Sequence, residues 1–254
     1  MLLLEDERRV SVVGPFRPSD IAGLVLWLRA EDISGLSDGD PVVTWSDQST
    51  QSNDVTQGTA AKRPTFRTSV VNGKAIVRFD GTDDVLVNSS PSGLVTGAGE
   101  QTIIVVTSKA TAGSGERAFG YGILPRAAGR ELALFLDTNT PEESIAWEAH
   151  RWGVASTTSG FVMYTIIVPV GAVNTDDVEL ERNGASLTEV TIAGTVQTLN
   201  LGADAVAVGA RHDNGFNIYE GDIAEIICYD SDLRGSDLDD LETYINDEYG
   251  ITIL

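Results

Sequence analysis

Short apolar runs separated by polar, glycine-rich turns recur along this 254-residue chain, and they predict strands. Residues 21–30 read as a first core strand anchored by Trp27, and 42–45 follow the Asp38-Gly39-Asp40-Pro41 turn. Residues 46–61 read as a polar loop. In 75–80, Ala75, Val77 and Phe79 share one face while Ile76 and Arg78 share the other. Residues 101–109 (QTIIVVTSK) predict a central strand, with further strands over 131–137, 144–152 and 161–168. Asn183-Gly184 between 178–182 and 185–190 signals a hairpin. After a strand near Val206, residues 223–229 form a strand that is apolar on both faces except at Glu225. A helix then follows, with Ser236 at the N-cap, Leu238, Leu241, Ile245 and Tyr249 at helical spacing, and Gly250 as the stop.

Three stretches carry a family resemblance. The first is Gly221-Asp222-Ile223-Ala224-Glu225, with Tyr229-Asp230 and the closing Tyr249-Gly250. The second is Asn72-Gly73 leading through Val77-Arg78-Phe79-Asp80-Gly81. The third is Ile21 to Leu28 followed by Val43-Thr44-Trp45-Ser46-Asp47. Taken in chain order, they resemble the laminin-G-like, concanavalin A-like domains found in phage virion and bacterial surface proteins. The resemblance implies an all-β, two-sheet antiparallel jelly-roll sandwich with one short C-terminal helix, over residues 18–254. Residues 1–17, which mix charge with Val10, Val12, Val13 and Phe16, read as an N-terminal arm able to dock on a partner. The fold alone leaves function open, because lectins, enzymes and structural modules share it.

Charge narrows the partners. Seventeen Lys and Arg stand against 38 Asp and Glu, a formal net charge of −21, so a nucleic-acid partner is not expected. The single cysteine, Cys228, excludes an internal disulfide. Leu2-Leu3-Leu4 before Glu5-Asp6-Glu7 lacks the features of a signal peptide, and no membrane association is expected.

Candidate chemistry is sparse. A retaining or inverting glycosidase needs two facing carboxylates; Glu142, Glu143 and Glu148 come closest, and no working pair is expected. Glu225 is the sharper single acid, read either as a raised-pKa catalytic group or as a structural acceptor of backbone amides from a neighbouring loop. A serine nucleophile and a transition-metal site are not expected, given only His150, His212 and Cys228 as soft ligands. Calcium could be held by Asp80, Asp83 and Asp84, or by Asp213 and Asn214, although turn chemistry explains the same residues. Trp147, His150, Arg151 and Trp152, with Phe119 and Tyr121 nearby, are either a glycan platform or filling between sheets; Arg211, Asp213 and Asn214 are further glycan candidates.

The expectation is a non-enzymatic virion structural protein (a capsid decoration, head fibre or tail component) assembled in the host bacterial cytoplasm. It would dock on other virion proteins, self-associate, and display a face for host surface glycan, without a required cofactor. A carbohydrate-binding, lectin-like module is the alternative, and a glycoside hydrolase a more distant one.

Overall fold

The computed structural model describes residues 14–109, 116–122, 131–137, 142–147, 150–154, 160–187, 190–211 and 217–254. In chain order its strands are β1 (Leu24–Arg29), β2 (Thr44–Trp45), β3 (Val55–Thr56), β4 (Thr65–Val71), β5 (Lys74–Asp80), β6 (Leu86–Asn88), β7 (Gln101–Lys109), β8 (Glu116–Gly122) and β9 (Glu131–Asp137). They continue as β10 (Glu142–Trp147), β11 (His150–Val154), β12 (Val162–Val168), β13 (Glu179–Arg182), β14 (Ala185–Ser186), β15 (Val190–Gly194), β16 (Val206–Val208) and β17 (Glu220–Tyr229). One helix, α1 (Ser236–Tyr249), follows β17. Among the described residues no helix is long and apolar enough to cross a membrane.

The strands form two antiparallel sheets. The eight-stranded sheet runs β14-β13-β12-β7-β17-β5-β4, with β1 also paired to β17. The nine-stranded sheet runs β15-β11-β10-β9-β8-β16-β6-β3-β2. Strand β17 is the hub of the first sheet: along one edge it pairs with β7, and along the other with β5 over Glu220–Ile223 and then with β1 from Glu225 onward. A bulge between Ile223 and Glu225 marks the handover.

Alternation sorts side chains into layers. Val77 and Phe79 of β5, Ile103 and Val105 of β7, and Ile223, Ile226 and Cys228 of β17 meet Phe119, Tyr121, Leu132, Leu134 and Val206 in the core between the sheets. Each fully buried aliphatic side chain of this kind contributes about 1.5–3 kcal/mol, so this layer supplies most of the cohesion. A second layer forms on the opposite face of the eight-stranded sheet. There Trp27, Ile76, Ile104, Met163, Ile227 and Tyr229 pack under Leu241, Ile245 and Tyr249 of α1. The all-β sandwich with one C-terminal helix is thus the fold that the sequence leads one to expect.

Several local expectations are corrected. Residues 144–152 are two strands, β10 and β11, paired with Trp147 opposite His150 and Ile145 opposite Trp152. Simple alternation along one strand therefore does not apply to them. The Asn183-Gly184 hairpin is present, but β14 is only two residues long and β15 belongs to the other sheet. Ser236 is the first helical residue, not the cap; Gly235 at φ 55° holds that place without a side-chain cap. Gly250, at φ 67°, ends the helix as expected. Residues 46–61 include β3 and a short 3-10 turn.

Glu225 fastens the helix to the sheet. Its carboxylate accepts from Trp27 Nε1 at 2.5 Å, Tyr244 Oη at 2.9 Å and Tyr249 Oη at 2.5 Å, and the residue is fully buried. The expected acceptor role is right in kind, but the donors are side chains of β1 and α1 rather than loop amides. Arg29, its register neighbour on β1, pairs with Asp32 and with Glu248 of α1. Burial pushes the Glu225 carboxyl up to about 7, against the hydrogen bonds and the Arg29 charge that pull it down.

Candidate functional site on the outer face of the nine-stranded sheet

Strands β8, β9 and β16 send Phe119, Tyr121, Leu132, Leu134, Leu136, Val206 and Val208 into the core. Alternation therefore puts Glu131, Ala133 and Phe135 of β9 and Ala207 of β16 on the sheet's other face, and a bulge between Arg117 and Phe119 brings Arg117 of β8 to that face as well. Register places Ala207 opposite Gly120 and Gly120 opposite Ala133. These three short residues make a low floor. It is tight as well as low, because a Cβ on Gly120 would stand 2.9 Å from Ala133 Cβ and 3.0 Å from the Leu132 carbonyl oxygen.

Arg117 pairs in register with Phe135, and Gly122 with Glu131. Arg117 and Glu131 thus start on either side of the Gly120–Ala133 row and reach toward each other, meeting as an ion pair, Nη1 to Oε1, at 2.5 Å. The guanidinium carbon lies 5.2 Å from the centre of the Phe135 ring, within cation–π range. All three residues are buried, and Arg117 Nε has no hydrogen-bond partner among the described residues. An unmatched guanidinium donor in a buried setting costs free energy unless something accepts from it. A planar cation, a carboxylate and a phenyl ring around a short floor offer polar contacts for hydroxyls and an apolar face for a ring.

Backbone register extends the row to β10, β11 and β15: Ala146 opposite Ala133, Arg151 opposite Ala146, and Ala193 opposite Arg151. Position 151 thus shares the row of Gly120. Position 152 instead shares the row of Ile145 and Leu134, and positions 147 and 150 pair with each other. Phe119 and Tyr121 are core residues, with the Tyr121 hydroxyl bonded to Gln101, so they are corrected out of the glycan platform. Arg211 is buried just beyond β16; Asp213 and Asn214 lie outside the described residues. Arg117, Glu131 and Phe135 were missed by sequence reasoning. Their one signal was alternation in 131–137, which sets Glu131, Ala133 and Phe135 against three leucines.

Asp80, Asp83 and Asp84 do converge, with one oxygen from each within 4.8 Å of the others. Asp84 is buried, accepts from the Asp80 amide at 3.0 Å, and is pushed up to about 6 chiefly by that burial. These oxygens could hold a hard cation, and they also close their own turn. Phe16 is half-buried and meets Tyr244 edge-on at 6.2 Å, so it packs on α1; Val10, Val12 and Val13 lie outside the described residues.

Two catalytic spacings are present in the chain and are disposed of by geometry. Glu220-Gly221-Asp222-Ile223-Ala224-Glu225 fits the E-x-D-x-x-E spacing of sandwich glycosidases, which corrects the expectation that Glu142, Glu143 and Glu148 come closest. Glu225, however, is sealed beneath α1 with three donors, and Asp222 is held by the guanidinium of Arg78 at 2.7 and 2.8 Å. Gly35-Leu36-Ser37-Asp38-Gly39 has nucleophile-elbow spacing, but it lies in the connection between β1 and β2, where the Ser37 amide donates to Asp40. It lacks the strand–turn–helix setting that such a serine needs.

No protein-family model matches the sequence, and no curated protein is similar to it. Solved structures do match in fold. A GH54 α-L-arabinofuranosidase, solved after soaking with a cyclic sulfate inhibitor, superposes with a TM-score of 0.60 at 15% identity, over 88% of this chain and 59% of that one. Domain 4 of AbnA, a GH43 extracellular arabinanase from Geobacillus stearothermophilus in complex with arabinotriose, gives 0.55 at 14% identity, over 86% of this chain and 98% of that domain. Trypanosoma rangeli sialidase in complex with sialic acid gives 0.56 at 14% identity, over 94% of this chain. The chain spans only about a third of the sialidase, 36% of its length. At these identities the likeness is one of fold. Each of these structures is a glycoside hydrolase or a domain of one, which overturns the expectation of a non-enzymatic virion structural protein.

Proposed function

We propose that this chain is a carbohydrate-recognising sandwich of the concanavalin A-like, laminin-G-like kind, acting within glycoside hydrolysis, with sugar held on the outer face of the nine-stranded sheet. The observation that carries this reading is the Arg117–Glu131 pair over the Gly120–Ala133–Ala207 floor beside Phe135. A pyranose or furanose ring has an apolar face and a rim of hydroxyls. Arg117, Glu131, Ala133, Phe135 and Ala207 are each less than a tenth exposed, so the sugar reaches them only as this face opens. Arg117 Nε then donates to a hydroxyl oxygen, Glu131 accepts from the next one, and Phe135 meets the C–H face. In a buried setting such bonds are stronger than in water. The AbnA domain bound to arabinotriose, which matches this chain over nearly its own whole length, supports the substrate class.

The test is a panel of arabino-oligosaccharides and sialosides, read for binding by calorimetry and for bond cleavage by release of reducing ends. Binding weakened at least tenfold by Arg117→Lys and by Glu131→Gln is expected, since each loses a charge-assisted hydrogen bond of about 1.5–3 kcal/mol. Reducing ends released by the chain itself would assign it catalysis as well as recognition. Neither binding nor cleavage across the panel would sink the proposal.

A further inference from the structure

We infer that the junction of α1 with strands β12 and β13 is a binding site for a hard divalent cation, held by the carboxylates of Glu181 and Glu242 and the hydroxyl of Thr165. Thr165 of β12 stands directly opposite Glu181 of β13, on the face of the sheet that α1 covers. Opposed residues of an antiparallel pair have Cβ atoms about 4.5–5.5 Å apart. Thr165 is fully buried, and its Oγ1 has no hydrogen-bond partner among the described residues. Such a hydroxyl beside a buried carboxylate marks a place where an oxygen ligand is waiting for something to bind.

Glu242 approaches from the helix. A Cβ added to Gly184 in the β13–β14 turn would lie 3.0 Å from Glu242 Oε1, which sets that carboxylate against the hairpin carrying Glu181. Asp239 and Glu242 also line a cleft of about 320 Å³ at the helix surface, with Thr243, Asn246 and Ile253. Compensation for this negative charge is thin. Among the described residues Glu181 accepts one side-chain hydrogen bond, from Ser186 Oγ at 3.2 Å. Arg234, whose charge lowers the Glu181 pKa, is itself occupied by both carboxylate oxygens of Glu179 and by Asp232. Burial raises the pKa of both Glu181 and Glu242, and the charge of Glu181 raises that of Glu242 further. Two carboxylates and a hydroxyl, all oxygen, suit calcium or magnesium rather than a softer metal. Calcium has the looser geometry and is the better probe. The site is separate from the Asp80–Asp83–Asp84 cluster, which lies in the turn after β5.

The experiment is calorimetric titration of the full chain with calcium, paired with thermal melts. Calcium at about a hundredfold above Kd is expected to raise Tm by about 5–10 °C. The double variant Glu181→Gln, Glu242→Gln should fold and lose this binding event, while the control Asp83→Asn, Asp84→Asn retains it. Thr165→Val, which keeps the shape and removes one ligand, should weaken Kd about tenfold or more. Absence of saturable calcium binding overturns the inference. So does binding that survives the Glu181 and Glu242 changes but is lost in the Asp83 and Asp84 control.

Discussion

Trp27 and Glu225 lie 198 residues apart in the chain, yet the indole Nε1 of one donates to the carboxylate Oε1 of the other at 2.5 Å. That bond joins β1 to β17 beneath the helix, and Tyr244 on the same oxygen and Tyr249 on its partner join the helix to both. Removing the carboxylate leaves two buried donors, Trp27 and Tyr249, and the half-buried Tyr244 hydroxyl without an acceptor. Glu225→Ala should therefore cost about 3 kcal/mol or more, measured by urea unfolding. Glu225→Gln keeps an oxygen for Trp27 and Tyr244, and the Tyr249 hydroxyl can turn to accept from the new amide. It should cost less than half as much.

The same residue gives a pH dependence. Its folded pKa, about 7, lies above the ordinary 4.5, so the folded state binds the proton more tightly than the unfolded one. Stability from this group is full below about pH 4.5, falls as pH rises through 7, and is level above that, a change of about 3 kcal/mol at 1.36 kcal/mol per unit. Asp84, raised to about 6, acts in the same direction. Melts from pH 4.5 to 8 should show a falling Tm, and Glu225→Gln should flatten most of the slope. A slope unchanged in that variant would assign it to other groups.

Gly209 offers a steric test. At φ 86°, it sits in a backbone region that side chains disfavour, and an added Cβ would fall 2.1 Å from the Phe79 ring. Phe79 is a fully buried core residue that cannot swing away. Gly209→Ala should cost about 3 kcal/mol or more, from left-handed strain plus overpacking. Gly39→Ala, at φ 90° with open space around it, should cost about 1–2 kcal/mol from strain alone. Equal losses would mean that the Phe79 contact relaxes freely.

Buried pairing gives another. Arg117→Ala leaves the Glu131 carboxylate buried without its cation, at a cost of about 3–5 kcal/mol in chemical denaturation. Adding Glu131→Ala should recover part of that loss, because the stranded charge is gone. A double variant with the full sum of the two single losses would mean that the pair is uncoupled.

The sequence made the strands of highest local consistency plain. Residues 101–109, with β-branched residues throughout, match β7 end to end, and the Ala75–Val77–Phe79 face of β5 does face the core. What it concealed depended on long-range pairing. Glu148 and Ala149, between β10 and β11 in the chain, carry no Gly or Pro signal, so two strands read as one. The acids of Glu220 to Glu225 read as a strand signature, and only the fold reveals that α1 seals the last of them. Arg117 stands on a strand that pairs with the next strand in the chain, β9, on one side and with the distant β16 on the other. Nothing local announces that its guanidinium would cross a row of Gly and Ala to reach Glu131. A buried ion pair is a property of register, and register is set by the assembled sheet.

The most direct test of the sugar-binding face is a chemical-shift titration of the labelled chain with arabinotriose and with a sialoside. The account predicts saturable shifts concentrated at Arg117, Gly120, Glu131, Ala133, Phe135 and Ala207. Shifts confined to α1 and the outer face of the eight-stranded sheet, or none with either sugar, would contradict it.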